Sequence, residues 1–340
     1  MNKPSKLGIG VIGTGRIGKL HIQHLSQNIP DADLIAICSL DTKTAETLAL
    51  QFNIPKVTTD YKSLLTNPKI DAVIVASSTD THVEICQAAA EEGKHIFCEK
   101  PITLDLEQID ETLAIVEKAG VIFQVGFNRR FDVNFMRVRE DIVSGKIGEP
   151  HILRITSRDP TPPPIEYVKV SGGIFLDMTI HDFDMARYLI CDEVVEIYAV
   201  GGVRVDPQIG EAGDIDTVII TLRFQNGVLA TIDNSREAVY GYDQRVEVFG
   251  SKGMVTVGNP KTDTVTFSGS QGSRSAPLPD FFVQRYKDAY LTELQAFVRC
   301  IQEETQPLVT GTDGRVPIVM GYAALKSLRE NRPVLLSEIS

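Results

Sequence analysis

The chain of 340 residues has no tryptophan, no C-x-x-C pair, no excess of basic residues and no apolar run approaching the ~18 residues of a membrane span. The missing tryptophan excludes nothing. Without a long apolar run a transmembrane helix is excluded, and the opening MNKPSK lacks the apolar core of a signal segment, so a cytoplasmic location is expected. A formal net charge of −11 and a pI near 5.1 argue against a nucleic-acid partner, which calls for a basic face. The cysteines Cys38, Cys86, Cys98, Cys191 and Cys300 are odd in number and scattered. That pattern speaks against a disulfide framework or a zinc site and for reduced, mostly buried thiols.

What remains is an ordinary globular composition in a chain longer than the ~250–300 residues at which single cores stop growing, so two domains are expected. The segment LGIGVIGTGRIG is an apolar run that ends in Gly13-Thr14-Gly15-Arg16-Ile17-Gly18 and opens into a helical stretch at 19–26. A G-x-G-x-x-G between strand and helix is a dinucleotide-binding turn. Its first glycine permits the tight turn, the second lets backbone approach a pyrophosphate, and the third lets helix and strand pack closely. The anion rests on N–H groups at the helix N-terminus. Strand patterns at 34–38, 56–58, 72–76, 95–98 and 121–125 alternate with helical ones at 43–52, 61–65, 81–92 and 106–119. The continuous β-branched run 72–76 suits a strand covered on both faces. Residues 1–126 therefore read as a doubly wound parallel α/β domain.

After residue 127 the pattern changes. A helix at 133–144 precedes strand-like runs at 151–157, 194–203, 217–224, 228–235, 245–250, 253–257 and 264–268, with Asn226-Gly227 and Lys252-Gly253 suited to hairpin turns. This predicts an α+β domain over 127–340 with a large, mostly antiparallel open sheet, one face of which a partner subunit could cover. Residues 260–279 read as exposed strand and loop. Two amphipathic helices close the chain: Tyr286, Tyr290, Leu294, Phe297, Val298 and Ile301 form one core stripe, and 319–328 carries the other.

Three segments carry chemistry. Cys98-Glu99-Lys100-Pro101 ends a parallel strand, at the crevice where such sheets bind ligands. Lys100 there can polarise a substrate oxygen, and Pro101 invites a cis peptide; Glu99 can equally cap the next helix, and the pair can equally be a solvated surface pair. In the segment 171–184, a helix over 176–189 places Asp177 and His181 four apart on one face, with Asp184 near it. A histidine beside a carboxylate is a tunable proton acceptor, although helix-decorating aspartates and a core histidine would look the same. Asn128-Arg129-Arg130 can clamp a polar ligand or tie domains together, and Tyr240 and Tyr242 can line a polyol pocket or pack.

Taken together, GTGRIG, the turn Ser77-Ser78-Thr79-Asp80-Thr81-His82, Glu99-Lys100-Pro101 and Gly172-Gly173…Asp177…His181 resemble the glucose–fructose oxidoreductase and inositol dehydrogenase family over nearly the whole chain. Residues 125–132, 157–160 and 177–184 are similar to its inositol 2-dehydrogenase branch in particular. The resemblance implies NAD-dependent oxidation of a ring hydroxyl of inositol, or of another cyclic polyol or sugar, by a homotetramer joined through its C-terminal sheets. It implies Lys100, Asp177 and His181 as catalytic, and Asn128, Arg129, Asp159, Asp184, Tyr240 and Tyr242 around the substrate. Gly13, Gly15, Arg16, Ile17, Gly18, Ser39, Ser77, Ser78, Thr79, His82, Glu99 and Lys100 are implied at the cofactor. Ser39 replaces the acidic residue with which NAD-preferring relatives hold the adenosine ribose, which leaves NADP open beside NAD, with Asp41 as an alternative ribose partner. A nucleotide-sensing, non-catalytic protein on the same fold is the other class of reading.

Overall fold

The computed structural model describes residues 6–339. The chain begins with β1 Leu7–Ile12, α1 Arg16–Asn28, β2 Ala32–Cys38, α2 Thr42–Phe52, β3 Lys56–Thr58 and α3 Lys62–Leu65. It continues with β4 Ala72–Val75, α4 His82–Glu91, β5 His95–Glu99, α5 Leu106–Ala119 and β6 Phe123–Gly126. Among the described residues these strands form one six-stranded parallel sheet in the order β3-β2-β1-β4-β5-β6, the doubly wound order of dinucleotide-binding domains. The strand order reverses between β1 and β4, which places the ligand crevice beyond their C-terminal ends. Every residue of β1 and β4 is buried, as a strand with helices on both faces requires. Local chemistry sets the helix ends: the Asp105 carboxylate accepts from the N–H groups of Glu107 and Gln108, and Gly120 closes α5 at φ 67°.

The second part contains α6 Val133–Val143, β7 Pro150–Arg158, α7 Ile165–Val168, α8 Gly173–Asp177, α9 Ile180–Ile190, β8 Val194–Gly202 and α10 Pro207–Glu211. Then come β9 Thr217–Phe224, β10 Leu229–Ser235, β11 Asp243–Gly250, β12 Gly253–Val257, β13 Thr266–Gly269, β14 Gly272–Ser275 and α11 Phe282–Arg285. The chain ends with α12 Lys287–Glu303, α13 Gly311–Glu330 and β15 Val334–Leu335. Among the described residues, seven of these strands make a sheet in the order β12-β11-β7-β10-β9-β8-β15. Only β7 and β10 run parallel in it; the other pairs are antiparallel. Burial alternates along β9 and β10, so one face packs on the core while the other carries exposed Val200, Ile219 and Leu229. Gly227, at φ 91°, makes the expected turn between β9 and β10. The hairpin β13–β14 lies fully exposed inside the segment expected as strand and loop.

The chain divides into two compact units, and the division differs from a cut at 126/127 followed by one continuous block. The first unit takes the residues up to Phe131 and also Asp288–Arg315; the second takes Asp132–Lys287 and the residues from Val316. The physical reason is apolar: Leu294, Phe297 and Val298 of α12 belong to the same core cluster as Ile9, Val11, Ile22 and Phe97. Phe297 stands edge-on to Phe97 at 5.8 Å between ring centroids.

Candidate active site

The glycine turn of the first unit shows each glycine doing separate work. Gly13 holds φ 105°, and a Cβ there would meet the Ala76 carbonyl oxygen at 2.3 Å; a Cβ on Gly18 would strike the Gly13 carbonyl oxygen at 2.2 Å. A Cβ on Gly15 would meet nothing within 4 Å, so its backbone faces open space. Gly15 is also the cap of α1 and brings no side chain to the helix's first N–H groups. Arg16 and Ile17 form the first turn of that helix. An uncapped helix end behind a side-chain-free approach fits the pyrophosphate of NAD.

Ser39 follows β2 directly and turns inward: its hydroxyl lies 2.6 Å from that of Thr14 in the glycine turn and accepts from the Asp41 N–H at 3.2 Å. Asp41 instead caps α2, accepting from Thr44 N–H at 3.1 Å. That bond, with Lys19 and Lys43 nearby, holds its carboxyl below the usual range. Beyond β4, Ser77 meets the Thr81 hydroxyl at 2.7 Å, while Ser78 and Thr79 open a short 3₁₀ turn. His82, expected at the cofactor, has its ring buried, with Nδ1 2.9 Å from the Pro101 carbonyl oxygen and Nε2 3.1 Å from that of Ser77. It braces the β4 loop against the segment that follows Lys100. The Lys100–Pro101 peptide is cis. At the strand exit Asn128 and Arg129 are buried, and Arg130 binds Asp313 at 2.9 Å and the Leu308 carbonyl at 3.1 Å, all within this unit.

In the second unit the helix expected over 176–189 is broken. Asp177 ends α8 and His181 stands in the first turn of α9, so no single helix carries both. Buried polar bonds pin the break: the Thr179 hydroxyl donates to Asn234 Oδ1 at 2.6 Å, and Asn234 Nδ2 donates to Asp182 at 2.8 Å. Asp177 is held from elsewhere, by the Tyr167 hydroxyl at 2.9 Å and Arg236 Nη1 at 3.2 Å. Arg236, only 1% exposed, is the partner that sequence reasoning missed, since no periodic signal links residues 59 positions apart. It also lies 3.8 Å from Asp214, whose carboxylate accepts from Ile174 N–H because Gly173 leaves room for it. Burial raises Asp214 above the usual carboxylate range despite that bond. Asp184 is buried on α9, and Asp159 follows β7, its N–H donating to Ser235. The half-exposed Tyr240 donates to Asp243 at 2.6 Å and accepts from Arg158 at 3.1 Å; Tyr242 is buried edge-on to Tyr286.

Residues 7–127 match an oxidoreductase family with an NAD-binding Rossmann fold, and residues 135–256 match the GFO/IDH/MocA C-terminal domain. The chain is 50% identical over 331 residues to the myo-inositol 2-dehydrogenase of Thermotoga maritima, a match covering 97% of this chain and 99% of that protein. It is 43% identical over 328 residues to the inositol 2-dehydrogenase of Rhizobium meliloti, covering 96% and 98%. The solved structure of scyllo-inositol dehydrogenase from Lactobacillus casei with bound NAD(H) and scyllo-inositol matches with a TM-score of 0.92 at 30% identity, over 98% of this chain and 100% of that one. With both units matched and the glycine turn built to receive the dinucleotide, the chain belongs to the GFO/IDH/MocA family of NAD-binding oxidoreductases.

Proposed function

We propose that this protein is an NAD-dependent dehydrogenase that oxidises a ring hydroxyl of inositol, taking myo-inositol to its 2-keto product. The observation that carries the reading is the 50% identity over 97% of the chain to a myo-inositol 2-dehydrogenase. NAD, held at Gly13, Gly15 and Gly18, supplies the acceptor for the hydride that leaves the substrate carbon. His181 takes the hydroxyl proton as general base, and Asp177 orients it and offsets the charge of the imidazolium. The grip of Arg236 and Tyr167 on Asp177 supports that role by fixing the carboxylate before substrate arrives. Lys100 donates to the substrate oxygen and favours its alkoxide character. Asn128, Arg129, Asp159, Asp184 and Tyr240 are the side chains we assign to the polyol, carboxylates being suited to vicinal hydroxyls because they accept several hydrogen bonds. The absence of an acid at Ser39 supports tolerance of NADP beside NAD.

Initial rates with myo-inositol, scyllo-inositol and glucose, each with NAD and NADP, test the reading. Turnover of myo-inositol with NAD is expected to lead the panel. Replacing His181 or Lys100 by alanine should lower kcat by about 10²–10⁴-fold and leave the Kd for NAD within a few-fold. NAD binding without turnover of any polyol would favour the sensor reading instead.

A further inference from the structure

The residue before Lys100 sinks into a buried polar cluster that the hydride-transfer reading does not use. Glu99 ends β5, and its Oε1 lies 2.7 Å from Nε2 of His21 on α1. His21 is fully buried, edge-on to Phe97 and Tyr290. Glu293 of α12 is fully buried too, and among the described residues neither of its carboxyl oxygens meets a hydrogen-bond partner. His21, Glu99 and Glu293 each bring one ligating atom to within 4.8 Å of the others. From β6, Gln124 donates to the Glu293 backbone carbonyl at 3.1 Å, and Gly126 leaves the space that Glu99 fills, since a Cβ there would lie 2.9 Å from its carboxylate. Among the described residues, the titratable groups gathered with Glu293 are Glu99 and His21.

Two ionised carboxylates this close at this depth would set like charges side by side in the core. Burial beside a second carboxylate relieves this by keeping one of the two protonated. We propose that Glu293 is a positioning residue for the active site: a neutral carboxylic acid packed beside the Glu99 carboxylate, so that Glu293 and His21 together fix the strand end from which Lys100 projects. Burial, and then the charge of Glu99, raise Glu293 well above the usual carboxylate range, in the direction this requires. Lys100 is thereby bracketed, by the Glu99 side chain on one side and by the His82 bond to the Pro101 carbonyl on the other. The positioning role rests on the reading of Lys100 as catalytic; the proton on Glu293 does not.

The experiment uses the full chain as wild type, Glu293→Gln and Glu293→Ala. Infrared difference spectra at neutral pH should show the carbonyl stretch of a buried protonated carboxylic acid in the wild type that Glu293→Gln removes. Glutamine keeps the shape and neutrality of the acid, so kcat should stay within about twofold, whereas alanine should lower kcat roughly ten- to a hundredfold with little change in the Kd for NAD. Should the alanine variant fail to fold, the spectrum and the glutamine rescue still decide. No lost carbonyl band, or a stoichiometric metal ion in the purified enzyme, would overturn the proton on Glu293. Wild-type kcat in Glu293→Ala would overturn the positioning role. A normal kcat in Lys100→Ala would instead refute the catalytic reading of Lys100, an outcome the infrared band is blind to.

Discussion

We propose that Ser39, a small residue, bears on cofactor choice. Its hydroxyl touches Thr14 of the glycine turn, while Asp41, the other acidic option, is spent on capping α2. An aspartate at position 39 would put a bidentate acceptor and a negative charge beside the turn, against any 2′-phosphate. The ratio of kcat/KM for NAD over NADP at saturating inositol should therefore rise by roughly ten- to a hundredfold in Ser39→Asp, the scale of a like-charge penalty of a few kcal/mol. An unchanged ratio would show that position 39 does not face the ribose. The single-residue features that were legible beforehand are those with local logic, such as the three glycines of the turn. Those that were not legible depend on partners far along the chain: Arg236 for Asp177, and Glu293 for Glu99.

Among the elements, legibility follows capping and length. Helix α5 was expected at its observed bounds because Asp105 and Gly120 mark its ends chemically and its apolar stripe is unbroken. The break between α8 and α9 was not legible, because the apolar pattern runs straight through it and the bonds of Thr179 and Asp182 to Asn234 come from a distant strand. The two-residue β15 is too short to show a period. The stripe on α12 was read as core, but periodicity cannot say whose core. Its answer lies in Phe297, fully buried against Phe97 and β1. Phe297→Ala should therefore cost about 3–5 kcal/mol of stability in denaturant titration. It should also weaken NAD binding more than a comparable truncation on the second sheet; equal effects from both would argue against a shared core with the dinucleotide domain.

For the whole molecule, residues 7–127 and 135–256 match two domains of one family, and no described helix is long and apolar enough to cross a membrane. The open face of the second sheet sets exposed Val200 and Ile219 beside each other, with Leu229 on the next strand and Met254 near the edge. An apolar face of this kind favours burial against its own copy, and we propose that this chain self-associates through it. Ile219→Asp should lower the solution mass measured by light scattering; an unchanged mass at equal concentration would move the contact elsewhere. The return of α12 to the first unit has a different consequence, one of timing. On a ribosome adding ~5–20 residues per second, the stretch from residue 132 to 287 occupies roughly eight to thirty seconds, during which strands β1 to β6 exist without the helix that completes their core. The cofactor turn is made long before residue 288, yet the domain that carries it is sealed only once α12 has followed. Until then the nascent chain must keep the uncovered flank around Phe97 from other hydrophobic surfaces, which makes this enzyme a natural client for chaperones that shield growing chains.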